Sequence, residues 1–166
     1  MAENRLVSFS LVFLAAATVV LFAGQAQGID ICGEAGYVPL CRSVVKGVSD
    51  PAVAIVKAIE HLLFETKRAK AASVKMVNKQ AINVCNQNYD SAIDDLEKAL
   101  EYLKSNDKAS LRVMLSGALS FYVSCTDAVM EVTGFGVVKM VSEIVKTDTT
   151  LKQLASNCLH IASLLK

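Results

Sequence analysis

Between Cys85 and Val132 the small and apolar residues recur at alternating steps of four and three, in two runs separated by a polar break. The first run is Cys85, Tyr89, Ala92, Leu96, Ala99 and Leu103; the second is Leu111, Leu115, Ala118, Tyr122, Cys125, Val129 and Val132. Each is the stripe of an amphipathic helix. Between them Lys104-Ser105-Asn106-Asp107 supplies residues that cap and turn a backbone. In an antiparallel hairpin, residues equidistant from the turn face each other. Cys85 and Cys125 each lie 20 residues from position 105, and Tyr89 then meets Tyr122, Ala92 meets Ala118 and Leu96 meets Leu115. A Cys85–Cys125 bridge needs no special bending in this register.

Two further stripes extend the pattern. Asp50-Pro51 is an N-cap followed by a first-turn proline, and Ile55, Ile59, Leu62, Thr66, Ala69, Ser73 and Met76 follow at helical spacing. After the helix break Thr133-Gly134-Phe135-Gly136 come Val137, Met140, Ile144, Thr147, Leu151, Leu154, Cys158, Ile161 and Leu165. Their phase is unbroken across Thr147–Thr150, which predicts one long helix. The expected fold is all-α: an up-and-down antiparallel four-helix bundle over residues 50–166. Composition agrees. With 2 Pro and 8 Gly the chain is too poor in turn formers for a β-sandwich. At 53% hydrophobic and a net charge of +1 it is neither disordered nor a basic nucleic-acid binder.

Residues 1–28 read differently. Arg5 precedes an apolar run from Leu6 to Phe22, and Ala26 and Gly28 are small enough for a cleavage site. This predicts a secretory signal peptide, leaving a mature chain 29–166 with no membrane association. No later stretch is expected to span a bilayer. Secretion favours disulfides. Beyond the Cys85–Cys125 pair, a local Cys32–Cys41 staple would hold residues 29–49 as a small appendage and leave Cys158 as a free, buried thiol.

Chemistry is sparse. His61 and His160 lie on different helices, beside the core stripes, and are expected to be solvated. No Glu-x-x-His pair, zinc spacing or phosphate loop is present, so no metal or cofactor is expected. Asn83-Val84-Cys85 lacks the hydroxyl residue of a glycosylation site. What remains is surface. Asp90, Asp94, Glu97 and Glu101 form an acidic strip along the second bundle helix, either an ordinary solvated face or a docking strip. Asp107 and Lys108 of the turn join them as candidate partner-binding residues. Met114, Phe121 and Met130 are candidate apolar anchors, or a widening of the core stripe.

Several segments, taken in order, resemble the plant invertase and pectin methylesterase inhibitor family over the whole mature length. Cys32-x8-Cys41 with Tyr37 and Pro39 inside is similar to the family's first cysteine pair. Cys85-Asn86-Gln87-Asn88-Tyr89-Asp90-Ser91-Ala92-Ile93-Asp94-Asp95-Leu96 resembles its Cys-x-x-x-Tyr-x-x-Ala segment. Leu115-Ser116-Gly117-Ala118-Leu119, Cys125-Thr126-Asp127 and Ser156-Asn157-Cys158-Leu159-His160-Ile161 resemble later elements. The resemblance implies a four-helix bundle with an N-terminal helical hairpin and bridges between the first and second and the third and fourth cysteines. It also implies an extracellular inhibitor, in the cell wall rather than the vacuole, that covers the cleft of a carbohydrate-active enzyme non-covalently. Inhibition would then be steric, with no turnover by a chain expected to be a monomer.

Invertase-directed members resemble one another in a Pro-Lys-Phe motif in the turn between the second and third bundle helices. Here the turn is Asn106-Asp107-Lys108-Ala109-Ser110-Leu111, which turns the expectation toward pectin methylesterase. The alternatives are an acid invertase inhibitor and a non-inhibitory binding protein of the same fold. Two departures from the family pattern stand out: Gly117 and Cys158 each replace an alanine. Gly117 costs roughly 1 kcal/mol in a helix interior, and it gives a neighbouring helix or partner room to approach.

Overall fold

In the structure, a computed structural model, residues 30–76, 79–131 and 138–166 are described. The expected signal peptide at 1–28, the stripe positions Val132 and Val137, and the Gly134-Phe135-Gly136 break lie outside the described residues. Residues Ile31–Lys166 form one unit of five helices, with no strand among the described residues: α1 Val38–Val45, α2 Pro51–Ser73, α3 Lys79–Lys104, α4 Lys108–Met130 and α5 Val138–Ser163.

Helix α2 starts where the sequence signals it. The Asp50 carboxylate accepts the Ala52 amide at 2.7 Å, and Pro51 opens the first turn. Helix α3 ends at a turn whose sharpest residue is Asn106, with φ at 57°. Asp107 then caps α4 by accepting the Ser110 amide at 3.0 Å. Helix α5 is continuous across Thr147–Thr150, where the hydroxyls of Thr147, Thr149 and Thr150 donate to the carbonyls of Glu143, Val145 and Lys146. These β-branched residues satisfy their hydroxyls within the helix, so none of them recruits backbone groups away from it.

The four long helices pack in a ring: α2 lies on α3 and α5, and α4 lies on α3 and α5. The facing stripes of α3 and α4, from Ala92, Leu96 and Ala99 to Leu111, Leu115 and Ala118, are wholly buried. Small alanines on both stripes, Ala92 and Ala99 on α3 and Ala118 on α4, leave room for the two backbones to lie close. Each buried leucine contributes about 1.5–3 kcal/mol by leaving water. By length and composition α4 is apolar enough to cross a membrane, which corrects the expectation that no later stretch qualifies. Its apolar stripe is spent on the bundle interior instead, through Leu111, Leu115, Ala118, Tyr122, Cys125 and Val129.

Two disulfides stitch the unit. Cys85 and Cys125 join α3 to α4 with Cα atoms 4.5 Å apart. Cys32 joins Cys41 at 5.7 Å, closing a turn at 31–34 onto α1. Among the described residues, the segment before the bundle thus comprises a turn and the single helix α1, which rests on α2 and α5.

That appendage is held by α5. The Asn157 side chain accepts the Tyr37 amide at 3.2 Å and donates to the Tyr37 carbonyl at 3.1 Å. His160 Nε2 lies 2.9 Å from the Ile31 carbonyl, which corrects the expectation of a solvated histidine. Because Asn157 is buried, Asn157→Ala would strand the Tyr37 amide, while the Tyr37 carbonyl keeps the Cys41 amide at 2.9 Å. The substitution is expected to cost roughly 1–3 kcal/mol, seen as a lower thermal midpoint and faster amide exchange at Tyr37.

Candidate functional site

Among the described residues no group of three or more His, Cys, Asp or Glu side chains is placed to hold a metal ion. Cys158 and the two histidines lie apart from one another. Cys158 is buried and free, and burial alone pushes its thiol up to about 12, so almost none of it is thiolate at neutral pH. His160 is occupied with Ile31, and His61 sits on a shallow basin beside Lys46, Lys57 and Glu60.

The most unusual group is Asp148, with none of its surface exposed. The expected stripe of α5 placed Thr147 inward; Thr147 is exposed and Asp148 takes the core position. Tyr89 donates to Asp148 Oδ1 at 2.7 Å, and Thr126 Oγ1 lies 3.2 Å from Oδ2. The Thr126 hydroxyl has a nearer acceptor in the Tyr122 carbonyl at 2.9 Å, and Lys152 Nζ approaches it at 3.3 Å. A hydroxyl carries one proton and two lone pairs. The arrangement closes when Thr126 donates to Tyr122 and accepts from Lys152 and from a protonated Asp148. Burial, partly offset by the hydrogen bonds with Tyr89 and Thr126 and by the Lys152 charge, pushes the Asp148 carboxyl up to about 6. Burial is also the main cause that raises the Tyr89 and Tyr122 hydroxyls. Tyr122 meets Thr66 Oγ1 at 2.7 Å, and since Thr66 donates to the Leu62 carbonyl, Tyr122 is the donor. Asp148, Tyr89, Tyr122 and Thr66 are buried, and only Thr126 and Lys152 at the edge of the network are partly exposed, so it ties helices together within the core.

The surface of the α3–α4 hairpin is more informative. Of the six candidate partner-binding residues, four already have internal tasks. Asp90 is paired with Lys70 and Glu97 with Lys67, the latter at 2.8 Å, so half of the acidic strip ties α3 to α2. Asp107 caps α4, and hydrogen bonds from Ser110 hold its carboxyl below the ordinary range. Lys108 Nζ reaches the carbonyl of Lys166. Asp94 and Glu101 stand exposed on the hairpin.

Helix α4 presents a second, quite different face. Between Arg112 and Asp127 it carries no charged residue. Its outward positions include Val113, Ser116, Ser120, Val123, Ser124 and Met130. Ser120 and Ser124 donate to the carbonyls one turn back, at 3.0 and 3.1 Å, so these hydroxyls lie down along the helix. Val113 and Met130 are more than 60% exposed, and Val123 is 42% exposed. Met114 and Phe121, two of the candidate anchors, pack partly into the core, whereas Met130 points outward. The result is a low, uncharged ridge about 20 Å long from Val113 to Thr126. The charge-free run from Val113 to Thr126 signals this face in the sequence, but acidic patterning on the neighbouring helix drew attention first.

Gly117 lies at the seam. A Cβ built there would collide with the Asp95 carboxylate of α3, so the glycine is what lets Asp95 lie across α4. Burial raises the Asp95 carboxyl, an effect that Lys98 opposes and Asp94 reinforces. Asp95 was absent from the candidates read from the acidic strip.

Comparison with known proteins places this geometry. Residues 29–161 match the family model described as plant invertase/pectin methylesterase inhibitor. The chain is 32% identical over 88 residues to Pectinesterase inhibitor 1 of Arabidopsis thaliana, a match covering 53% of this chain and 47% of the relative, about half of its length. A crystal structure of a mutant form of a pectin methylesterase inhibitor from Arabidopsis superposes with a TM-score of 0.72 at 21% identity, covering 86% of this chain and 99% of that one. A second crystal structure of a pectin methylesterase inhibitor from Arabidopsis thaliana gives 0.63 at 21% identity, covering 84% and 97%. At that identity the likeness shows the helical-bundle fold, and the family match extends across the appendage and nearly the whole bundle. The chain belongs to the plant invertase/pectin methylesterase inhibitor family, a family of enzyme inhibitors and not of enzymes.

Proposed function

We propose that this chain is a secreted inhibitor of pectin methylesterase that binds one to one and without covalent chemistry. In this reading the outer surface of the α3–α4 hairpin covers the enzyme's cleft and keeps pectin out. The observation that carries the choice of target is that the named relatives are inhibitors of that enzyme. The turn 106–111 adds support, because it has neither the Pro nor the Phe of invertase-directed members. The uncharged α4 ridge fits the contact. It sheds little hydration on burial and holds few long side chains to immobilise, and both effects keep the cost of association low. Two helices of this length can supply the roughly 800 Å² per partner that a stable interface needs. Secretion is supported by the apolar run of residues 6–22 and by the two disulfides, which suit an oxidising compartment.

Titration of residues 29–166 against a plant pectin methylesterase, read as methanol release, is expected to abolish activity at about one equivalent. Sucrose hydrolysis by an acid invertase is expected to continue unchanged. Saturating protein with no effect on the methylesterase contradicts the proposal, and inhibition of the invertase alone reassigns the target.

A further inference from the structure

We propose that the Asp95 carboxylate, seated in the notch left by Gly117, is the pairing point for a lysine or arginine of the target enzyme and so helps to set which target is bound. The inference deepens the proposed function and rests on it.

Three observations converge on this residue. The first is place: Asp95 lies where α3 meets the charge-free face of α4, at the middle of the hairpin and beside the low ridge. A residue there is covered by any partner that settles on the ridge. The second is isolation. Among the described residues, Asp95 has neither a hydrogen bond nor an ion pair, whereas its acidic neighbours Asp90 and Glu97 are each taken up by a lysine of α2. The charges acting on Asp95 come from its own helix, Lys98 and the like-charged Asp94, and α4 offers no cation from Val113 to Thr126. Lys67 and Lys70 of α2 are already committed to Glu97 and Asp90. The third is the cost. The carboxylate is partly desolvated, which raises its proton affinity in the free protein.

A partner that removes its remaining water must replace that hydration with a charged donor, or bind weakly. A neutral or acidic patch on a wrong enzyme would strand the charge, which is how such a residue discriminates between targets. An arginine suits the position best, because its planar fork meets a carboxylate with two parallel bonds. Gly117 belongs to the same device. Alanine at that position pushes the carboxylate out of its seat, although alanine is the better helix former.

The test compares wild type, Asp95→Asn and Gly117→Ala as full mature chains, with Glu143→Gln on α5 as the control. Dissociation constants for pectin methylesterase are measured across a range of salt concentrations, and circular dichroism reports folding. Asp95→Asn is expected to bind at least about 30-fold more weakly and to lose part of the salt dependence. Gly117→Ala is expected to weaken binding in the same direction while keeping its thermal midpoint, and Glu143→Gln to match wild type. Wild-type inhibition together with equal affinity of Asp95→Asn overturns the inference and leaves the proposed function standing. So does weaker binding by Asp95→Asn with an unchanged salt slope, which marks a merely structural role. Failure of the wild type to bind the methylesterase overturns both.

Discussion

Replacing Cys85 and Cys125 together by alanine is expected to lower the unfolding free energy by about 4 kcal/mol. The bridge joins α3 to α4 near the end of the hairpin remote from its turn and spans a sequence separation of 40. Its main effect is on the unfolded chain, where it closes a long loop that would otherwise explore many conformations. On the same loop-entropy model the Cys32–Cys41 bridge, with a separation of 9, contributes about 3 kcal/mol, and it restrains only the appendage. Thermal unfolding of the Cys85→Ala/Cys125→Ala variant is therefore expected to shift down by about 10–15 °C. Removing the shorter bridge should shift the global transition less. Equal effects from the two bridges, or a change below about 1 kcal/mol for the longer one, would contradict the assignment of the hairpin as the unit held by Cys85–Cys125.

Stability is expected to fall as pH rises from about 4 to 7, and Asp148 is the cause. Its carboxyl moves from the ordinary 3.8 to about 6 on folding, chiefly because it is buried. Between those values the folded chain keeps a proton that the unfolded chain has released. The stabilising effect of neutral Asp148 is fully present below the unfolded value and is lost as pH rises through the folded one. A shift of about two units corresponds to roughly 3 kcal/mol across this window. Asp148→Asn should flatten the slope. Its amide can accept from Tyr89 and donate to Thr126 as the protonated acid does, so the variant should be at least as stable as wild type at pH 7. Urea midpoints at pH 4.5 and 7 check this. A wild type whose stability is flat across the range, or a variant with the same slope, would show that Asp148 is ionised in the fold throughout.

The bundle was legible because its signals are local and periodic. The stripes of α3 and α4, mirrored about the turn, set a register that puts Cys85 against Cys125, and the structure joins them. Asp50-Pro51 marked the start of α2 through capping chemistry that depends only on neighbouring residues. What escaped depends on partners distant in sequence. Asp148 was passed over because a carboxylate is assumed to face water, and the phase was assigned to Thr147 beside it. The hydroxyls of Tyr89 and Thr126, on two other helices, and the charge of Lys152 make its burial tolerable. His160 and Asn157 showed no sign of clamping a segment about 120 residues away.

The surface was harder still. The acidic strip could be seen, but not that Lys67 and Lys70 would take up half of it. Asp95 looked like one more acid until Gly117 gave it a seat. A charge-free stretch on α4 is visible in the sequence, yet its meaning depends on which face the bundle buries.

The central claim is that this chain inhibits by occupying a cleft. The most direct measurement is the kinetics of pectin methylesterase over a range of pectin concentrations with fixed amounts of the mature chain. If the inhibitor and pectin exclude each other, the apparent KM rises with inhibitor concentration and kcat stays constant. A kcat that falls at unchanged KM would mean that pectin and the inhibitor bind together, and would contradict occupation of the cleft.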